Sequence, residues 1–446
     1  MITKLIRKYT CFVIALIVLM PVISGCGVGE KKTDSGKPKD DRTVLTIGNL
    51  DSNEISGIIT QYVDEFNKTN ENYRIEVKDY SDSEDCSTAF NLDVSAGNIP
   101  DIIVTDRAWQ DRLIYTGILI DLQPYLDTDT ELSQDDFLDS VMSAWREDGK
   151  LYYMAMDYYV TVMYGKKDTV GKYSNGWTKK DMIDFAEASD IPLFYEKSKM
   201  SIYDQFMVSG YAEFIDWNTG KAKFDTDLFA RILKYCNQGV KESDAYQEKQ
   251  DQISEFKQGK YILDSYSLAQ FYDIEDITRT MGSDLCYIGY PNAYRDTSYM
   301  QFQRSLGITS KSKYQDAAWQ FVRSIFTKRA QYEYCKQTGF FSVRKDVFDM
   351  QKKAAMTTES YTDEFETQID PIDFRSSEQV YTPLSQEEAD LAEKLVLSAK
   401  HCRKLDKNID DIVYDEVSAY FNGDCTIDRV GETINSRVET YMNENR

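Results

Sequence analysis

The sequence predicts an α/β protein, and three segments near the start of its folded part carry that prediction. Residues 44–48 (VLTIG) form a short β-branched and apolar run. Ile55, Ile58, Ile59, Tyr62, Val63 and Phe66 then recur at helical spacing, and a second strand reads from 74 to 77. A helix over 86–96, ended by Gly97, leads into a third strand at 100–106 (PDIIVTD). Strands alternating with helices give parallel strands joined by right-handed crossovers.

The rest of the chain keeps this alphabet. Residues 149–156 (GKLYYMAM) and 161–164 (TVMY) read as strands, and 176–188 as a helix capped by Thr178, whose hydroxyl can accept from a first-turn N–H. A helix over 225–237 places Leu228, Ile232, Leu233 and Cys236 on one face. Short strands follow at 260–264 (KYILD) and 286–291 (CYIGYP), then helices at 316–328, 329–338, 345–356, 386–403, 408–421 and 426–444. No internal repeat or low-complexity tract interrupts them.

At about 150 residues per domain, 446 residues fit two to three domains with sizeable cores. Acidic residues number 75 against 52 basic ones, and a formal net charge of −23 repels nucleic acid and anionic headgroups. The single histidine, His401, leaves no room for multi-His metal sites and argues against His-dependent triads. No glycine-rich phosphate loop is present, and the acidic run at 127–136 lacks the glycine and closing glutamate of an EF-hand, so it reads as a solvated loop. No cofactor is expected.

Residues 1–25 read as an export signal: Lys4, Arg7 and Lys8, then an apolar stretch from Cys11 to Met20, then small and aliphatic residues. The sequence ISGC at 23–26 resembles a bacterial lipobox, in which Cys26 would be lipidated and become the mature N-terminus. Acyl chains there would anchor a water-soluble body to the membrane. Residues 26–42 then read as a polar tether. Six further cysteines (86, 236, 286, 335, 402 and 425) are widely spaced and include no CxxC pair, so both free thiols and disulfides stay open.

Several phrases, in order, resemble the extracellular solute-binding proteins of the maltose-binding class, the receptors of ABC sugar importers. They are FNKTN at 66–70, SAGNIPDII at 95–103, GILIDLQPYL at 117–126, DGKLYYMAM at 148–156, GWTKKDM at 176–182, DWNTGKAKFD at 216–225, SKSKYQDAAWQF at 310–321 and the tail at 416–444. One departure is Gly339-Phe340-Phe341-Ser342-Val343, where the family often has a proline. The resemblance implies a two-lobed periplasmic-binding-protein-like fold (type II), each lobe discontinuous in sequence, with ligand held between the lobes. It implies a first lobe of 43–156 and 301–347 and a second of 157–300 and 348–446, with crossings near 155–160, 296–303 and 345–360. It further implies a monomer that hands a carbohydrate to a membrane permease, ATP being hydrolysed by a separate subunit.

Sugars present apolar C–H faces rimmed by hydroxyls, so aromatic rings beside planar polar groups suit them. Candidates in loops after strands are Asn49, Asp51, Asp106, Arg107, Trp109, Ser265, Tyr266, Tyr294, Tyr299 and Arg304, with Asp157, Tyr158 and Tyr159 at the first crossing. Trp177, Trp217 and Trp319 read as structural. The rival from the enzyme class is a glycan hydrolase, in which Asp157 and Asp264 would meet across a cleft. A receptor of the same fold for another solute, or for signalling to a sensor kinase, is the second rival.

Overall fold

The computed structural model describes residues 40–50, 57–80, 86–245, 252–363, 367–374, 382–402 and 406–444. The export signal, Cys26, the tether up to residue 39 and Asp51 lie outside the described residues. Two main sheets are built from β1 (Thr43–Asn49), β2 (Tyr73–Asp79), β3 (Ile102–Thr105), β4 (Met154–Ala155), β5 (Asp157–Lys166), β6 (Leu263–Leu268), β7 (Leu285–Tyr287), β8 (Tyr299–Phe302), β9 (Ser305–Ile308) and β10 (Phe341–Ser342).

The first sheet has the order β2-β1-β3-β9-β4. Its β1, β2 and β3 run parallel, and the late strand β9 returns antiparallel between β3 and β4. Parallel pairing requires covered faces, and the helix Gly57–Thr69 covers one with buried Ile58, Ile59, Val63 and Phe66, the face the spacing predicts. In the second sheet the ten-residue β5 is the spine, pairing antiparallel with β6, β7, β8 and β10. Its alternation divides the neighbours. Tyr158, Val160, Val162 and Tyr164 enter a large core shared with the first sheet, whereas Met163 enters a separate core.

That second core belongs to the helices Lys179–Glu187, Lys199–Met207, Asp227–Cys236, Lys407–Asn422 and Ile427–Glu444. The helices Lys345–Ala355 and Gln386–Ser398 contribute to the large core instead. The chain's last helices are thus divided between two cores.

Where the chain passes from β4 to β5 and from β8 to β9, the two connections lie side by side, and Met156 N–H donates to the Arg304 carbonyl at 2.8 Å. Around them sits a buried polar network. Tyr334 O–H donates to the Asp157 carboxylate at 2.8 Å, Gln331 donates to the Met156 carbonyl at 3.2 Å, and Gln351 accepts from the Ser342 N–H at 2.9 Å. Gln331, Ser342 and Asp157 are all fully buried. Polar groups paired at this depth favour the geometry that pairs them, so these bonds help to specify how the crossings run.

Some elements differ from expectation for identifiable reasons. The stretch 149–156 splits, because Asp148 (φ +51°) and Gly149 (φ +79°) form a two-residue turn that pairs Glu147 with Lys150, the geometry a primed hairpin turn requires. The strand expected at 260–264 begins only at Leu263, because Ile262 N–H donates to the Pro192 and Leu193 carbonyls before the chain joins β5. On the helix Asp227–Cys236 the buried face is Phe229, Ile232, Leu233 and Cys236, with Leu228 at its margin. The cap at Thr178 is a full capping box with Asp181. All six cysteines among the described residues are free thiols.

Burial pushes the Asp157 carboxyl up to about 6, opposed by the Tyr334 hydroxyl and the nearby Arg304 guanidinium. A carboxyl raised on folding favours the folded state fully below its unfolded value near 3.8, and that contribution is lost as pH rises through about 6. Chemical denaturation of the protein and of Asp157→Asn should therefore give a stability difference, wild type minus variant, that falls between pH 4 and 6 and is flat above pH 7. Its span should be on the order of 3 kcal/mol, at about 1.4 kcal/mol per pKa unit. A difference that rises with pH would show that Asp157 is held ionised.

Candidate ligand-binding site

A cavity of about 380 Å³ opens between chain segments that belong to different cores. One wall comes from the helix Asp139–Trp145 and the Asp148-Gly149 hairpin that follows it. The other comes from residues 209–218, the loop 292–299 and the strap 400–402. Ligand pockets typically hold about 300–1,000 Å³, so the space is large enough for a sugar unit or more.

Each segment is fixed by local chemistry. The side-chain carbonyl of Asn292 accepts from the N–H groups of Tyr294 and Asp296, and its amide donates to the carbonyls of Tyr290 and Asp296, which ties the loop into a turn. Gly289 (φ +70°) lets this loop lie close, since a Cβ there would stand 2.6 Å from the Thr297 backbone. Across the cavity mouth the half-exposed Tyr294 ring stacks on His401, with centroids 3.7 Å apart and planes 8° from parallel. His401 Nδ1 lies 2.8 Å from the Asp296 carboxylate. The 209–218 segment is anchored by Lys179, a fully buried ammonium that donates to Ser209 at 3.0 Å and Glu213 at 2.9 Å. Removing a partner from such a pair costs about 3–5 kcal/mol, so this anchor is firm.

The lining combines rings with planar polar groups. Tyr153, Tyr211, Trp217, Tyr294, Tyr299 and His401 supply flat surfaces. Glu147, Asp148, Glu213, Asp216 and Asp296 outnumber Arg146 and Lys400, so the cavity is acidic and disfavours anions. The cavity also adjoins a polar shelf on the second sheet. Directly paired residues share a face, which puts Tyr299 beside Thr161 and Gln301 beside Tyr159. On that face Gln301 donates to Thr161 at 3.0 Å, and Thr161 lies 3.4 Å from the Ser267 hydroxyl.

Of the residues singled out in the sequence, Tyr294 and Tyr299 line the cavity and Tyr159 lies on the shelf, its ring 6.0 Å from Phe340. Asp157, Tyr158 and Arg304 belong to the crossings, where Tyr158 is fully buried against Phe341. Asn49 is buried at the end of β1 and donates to Asp79 at 2.9 Å. The Asp106 carbonyl accepts from the Trp109 N–H as the helix Arg107–Tyr115 begins; of Arg107 only this position is described. Trp109 packs edge-on to Phe90 at 5.7 Å with Arg112 over its ring, inside a small cluster on the first sheet. Ser265 N–H donates to Asp264, and Tyr266 packs against the large core. Arg146, Asp148 and Glu213 line the cavity without having been singled out, as do Trp217, which the sequence reads as structural, and His401, weighed there only as a catalytic or metal-binding imidazole; the Asp-Gly turn and the lone histidine were the readable signals.

Asp157 and Asp264 do not form the carboxylate pair of a hydrolase. Asp264 is paired with Tyr164, seven residues along β5 from Asp157, which at about 3.3 Å per residue places them about 23 Å apart. Glycosidase carboxyls stand about 5–9.5 Å apart. Each has its own partners instead, Tyr334 for Asp157 and Tyr261 for Asp264.

A sequence comparison with curated proteins finds no match. Solved structures share the fold at low identity. A sugar-binding protein MalE from Xanthomonas citri superposes with a TM-score of 0.55 at 14% identity, covering 90% of this chain and 98% of that one. An ABC substrate-binding protein from Listeria monocytogenes, solved with cycloalternan, gives 0.53 at 15% identity over 90% and 100%. An ABC transporter solute-binding protein from Thermotoga lettingae, bound to α-D-tagatose, gives 0.51 at 13% over 90% and 99%. These neighbours have two lobes, and this chain has two main sheets joined by the paired crossings described above. Residues 61–359, about two thirds of the chain, match the family profile described as bacterial extracellular solute-binding protein, and the chain belongs to that family.

Proposed function

We propose that this protein captures a carbohydrate, an oligosaccharide in particular, between its lobes and delivers it to an ABC importer permease by hinge closure, without covalent chemistry. The observation that carries the reading is the cavity walled by both lobes, where aromatic rings stand beside planar polar groups. That lining matches the two surfaces a sugar presents. The carboxylate excess favours a neutral, hydroxyl-rich ligand over a phosphorylated or carboxylated one. The Listeria and Thermotoga neighbours were solved with carbohydrates, which supports the same class.

The ligand's contacts extend from Tyr294 and Tyr299 onto the shelf of Tyr159, Thr161 and Gln301, and closure moves the lobes about the paired crossings at Met156 and Arg304. Cys26 carries the lipid that keeps the mature protein at the outer face of the membrane, and the residues after it are the tether. No helix among the described residues is long and apolar enough to cross a membrane.

A panel of neutral oligosaccharides should contain one that raises the melting temperature by mass action, and chromatography after long incubation should return it intact. Tyr299→Ala should weaken that binding by about 1–3 kcal/mol, the scale of a buried aromatic contact, and, because Tyr299 is buried in the sheet, should lower the melting temperature as well. Unchanged affinity in Tyr299→Ala would remove the cavity from the site, and shortened products would overturn the binding reading.

Cys26→Ala should leave the precursor without lipid. Acyl labelling with a clickable fatty acid should mark the wild type and not the variant, and a correctly cleaved variant should appear in the soluble fraction. Membrane attachment of that cleaved variant would contradict the anchor.

A further inference from the structure

We infer that Tyr115, Asp406 and Tyr441 form a latch that closes one lobe onto the other independently of ligand. Tyr115 is the last residue of the helix Arg107–Tyr115, which follows β3 and packs on the first sheet through Leu113 and Ile114. Asp406 is the N-cap of Lys407–Asn422, and Tyr441 lies on Ile427–Glu444; both helices bury their apolar faces in the second core. The contact thus joins opposite lobes far from the crossings in sequence.

Its chemistry is specific. The Tyr115 hydroxyl donates to Asp406 Oδ2 and lies 3.4 Å from the Tyr441 hydroxyl. Tyr441 donates to the same carboxylate at 3.0 and 3.2 Å, and Asn408 donates to the Tyr441 oxygen at 2.9 Å. Asp406 Oδ1 also accepts from the Asn408 N–H at 2.9 Å, the cap that begins its own helix. One carboxylate therefore starts a helix in the second lobe and receives a phenol from the first. Asp406 is only 2% exposed, and burial together with Asp406 pushes the Tyr115 hydroxyl far above its ordinary range, so it stays a donor. Hydrogen bonds to an ionised acceptor are stronger than neutral ones. A bond of this kind biases a two-state equilibrium by its energy in the closed state alone.

The inference rests on the two-lobed fold and not on the identity of the ligand, so its test uses no sugar. Hydrogen–deuterium exchange on the full chain in detergent would compare wild type, Tyr115→Phe, Asp406→Ser and the double variant. Serine keeps an N-cap but is too short to reach Tyr115. Tyr115→Phe should speed exchange several-fold in residues 407–412 of the other lobe, and Asp406→Ser should speed it in residues 112–117. The double variant should not exceed Asp406→Ser by much, since the Tyr115 bond is already lost in that single variant. Exchange at the crossings, 155–159 and 302–305, should stay unchanged. If each variant alters only its own helix, or if the two effects add in full, the latch is disproved. Should Asp406→Ser fold poorly, Tyr115→Phe alone still decides the matter through its effect on the opposite lobe.

Discussion

The structure depends on keeping two connections between its two main sheets in one register. Met156 and Arg304 lie side by side through a 2.8 Å backbone hydrogen bond, and the buried side chains around them leave that pairing few alternatives. Gln331 fills the Met156 carbonyl, Tyr334 fills Asp157, and the Arg344 guanidinium reaches the Phe326 carbonyl at 3.1 Å. An unpaired polar group at this depth would cost about 1–3 kcal/mol, so the network tolerates little local slippage. The proposed hinge would use that combination: fixed strand paths, with the rotation taken up in the short links beside them.

Because the segments that line the cavity belong to different cores, what lies between them can be polar. On the face where the helices of the second core cover Met163, Thr161 and Gln301 are held by their own hydrogen bond, and the loop 292–299 reaches toward the Asp148-Gly149 hairpin of the first lobe. Carboxylates that would be costly inside either core are retained at this junction. The same separation explains why a single carboxylate such as Asp406 can serve its own helix and also meet the opposite lobe.

Local features were the legible ones. Thr178 and Asp181 form their capping box because a cap is decided within four residues, and the first β-α-β unit follows from periodicity alone. Long-range pairing hid the rest. The start of β6 shifts to Leu263 because residues 192–193, seventy positions earlier, take the Ile262 N–H. The cavity draws on four stretches scattered between 143 and 402, none of which is marked as a site by itself. Trp109 follows a strand, the usual place for a contact residue, yet the neighbouring Phe90 gives its ring a packing partner that sequence order does not show. The ordered family phrases supplied the architecture that periodicity could not, since two discontinuous lobes leave no local trace.

Small-angle scattering of the mature chain without its acyl anchor, titrated with the oligosaccharide that raises its melting temperature, tests the central claim most directly. A ligand gripped by both lobes should lower the radius of gyration and saturate with the same midpoint as binding, because ligand shifts the open and closed populations only by its differential affinity for them. A radius of gyration that stays constant while the sugar binds would contradict capture by closure about the paired crossings.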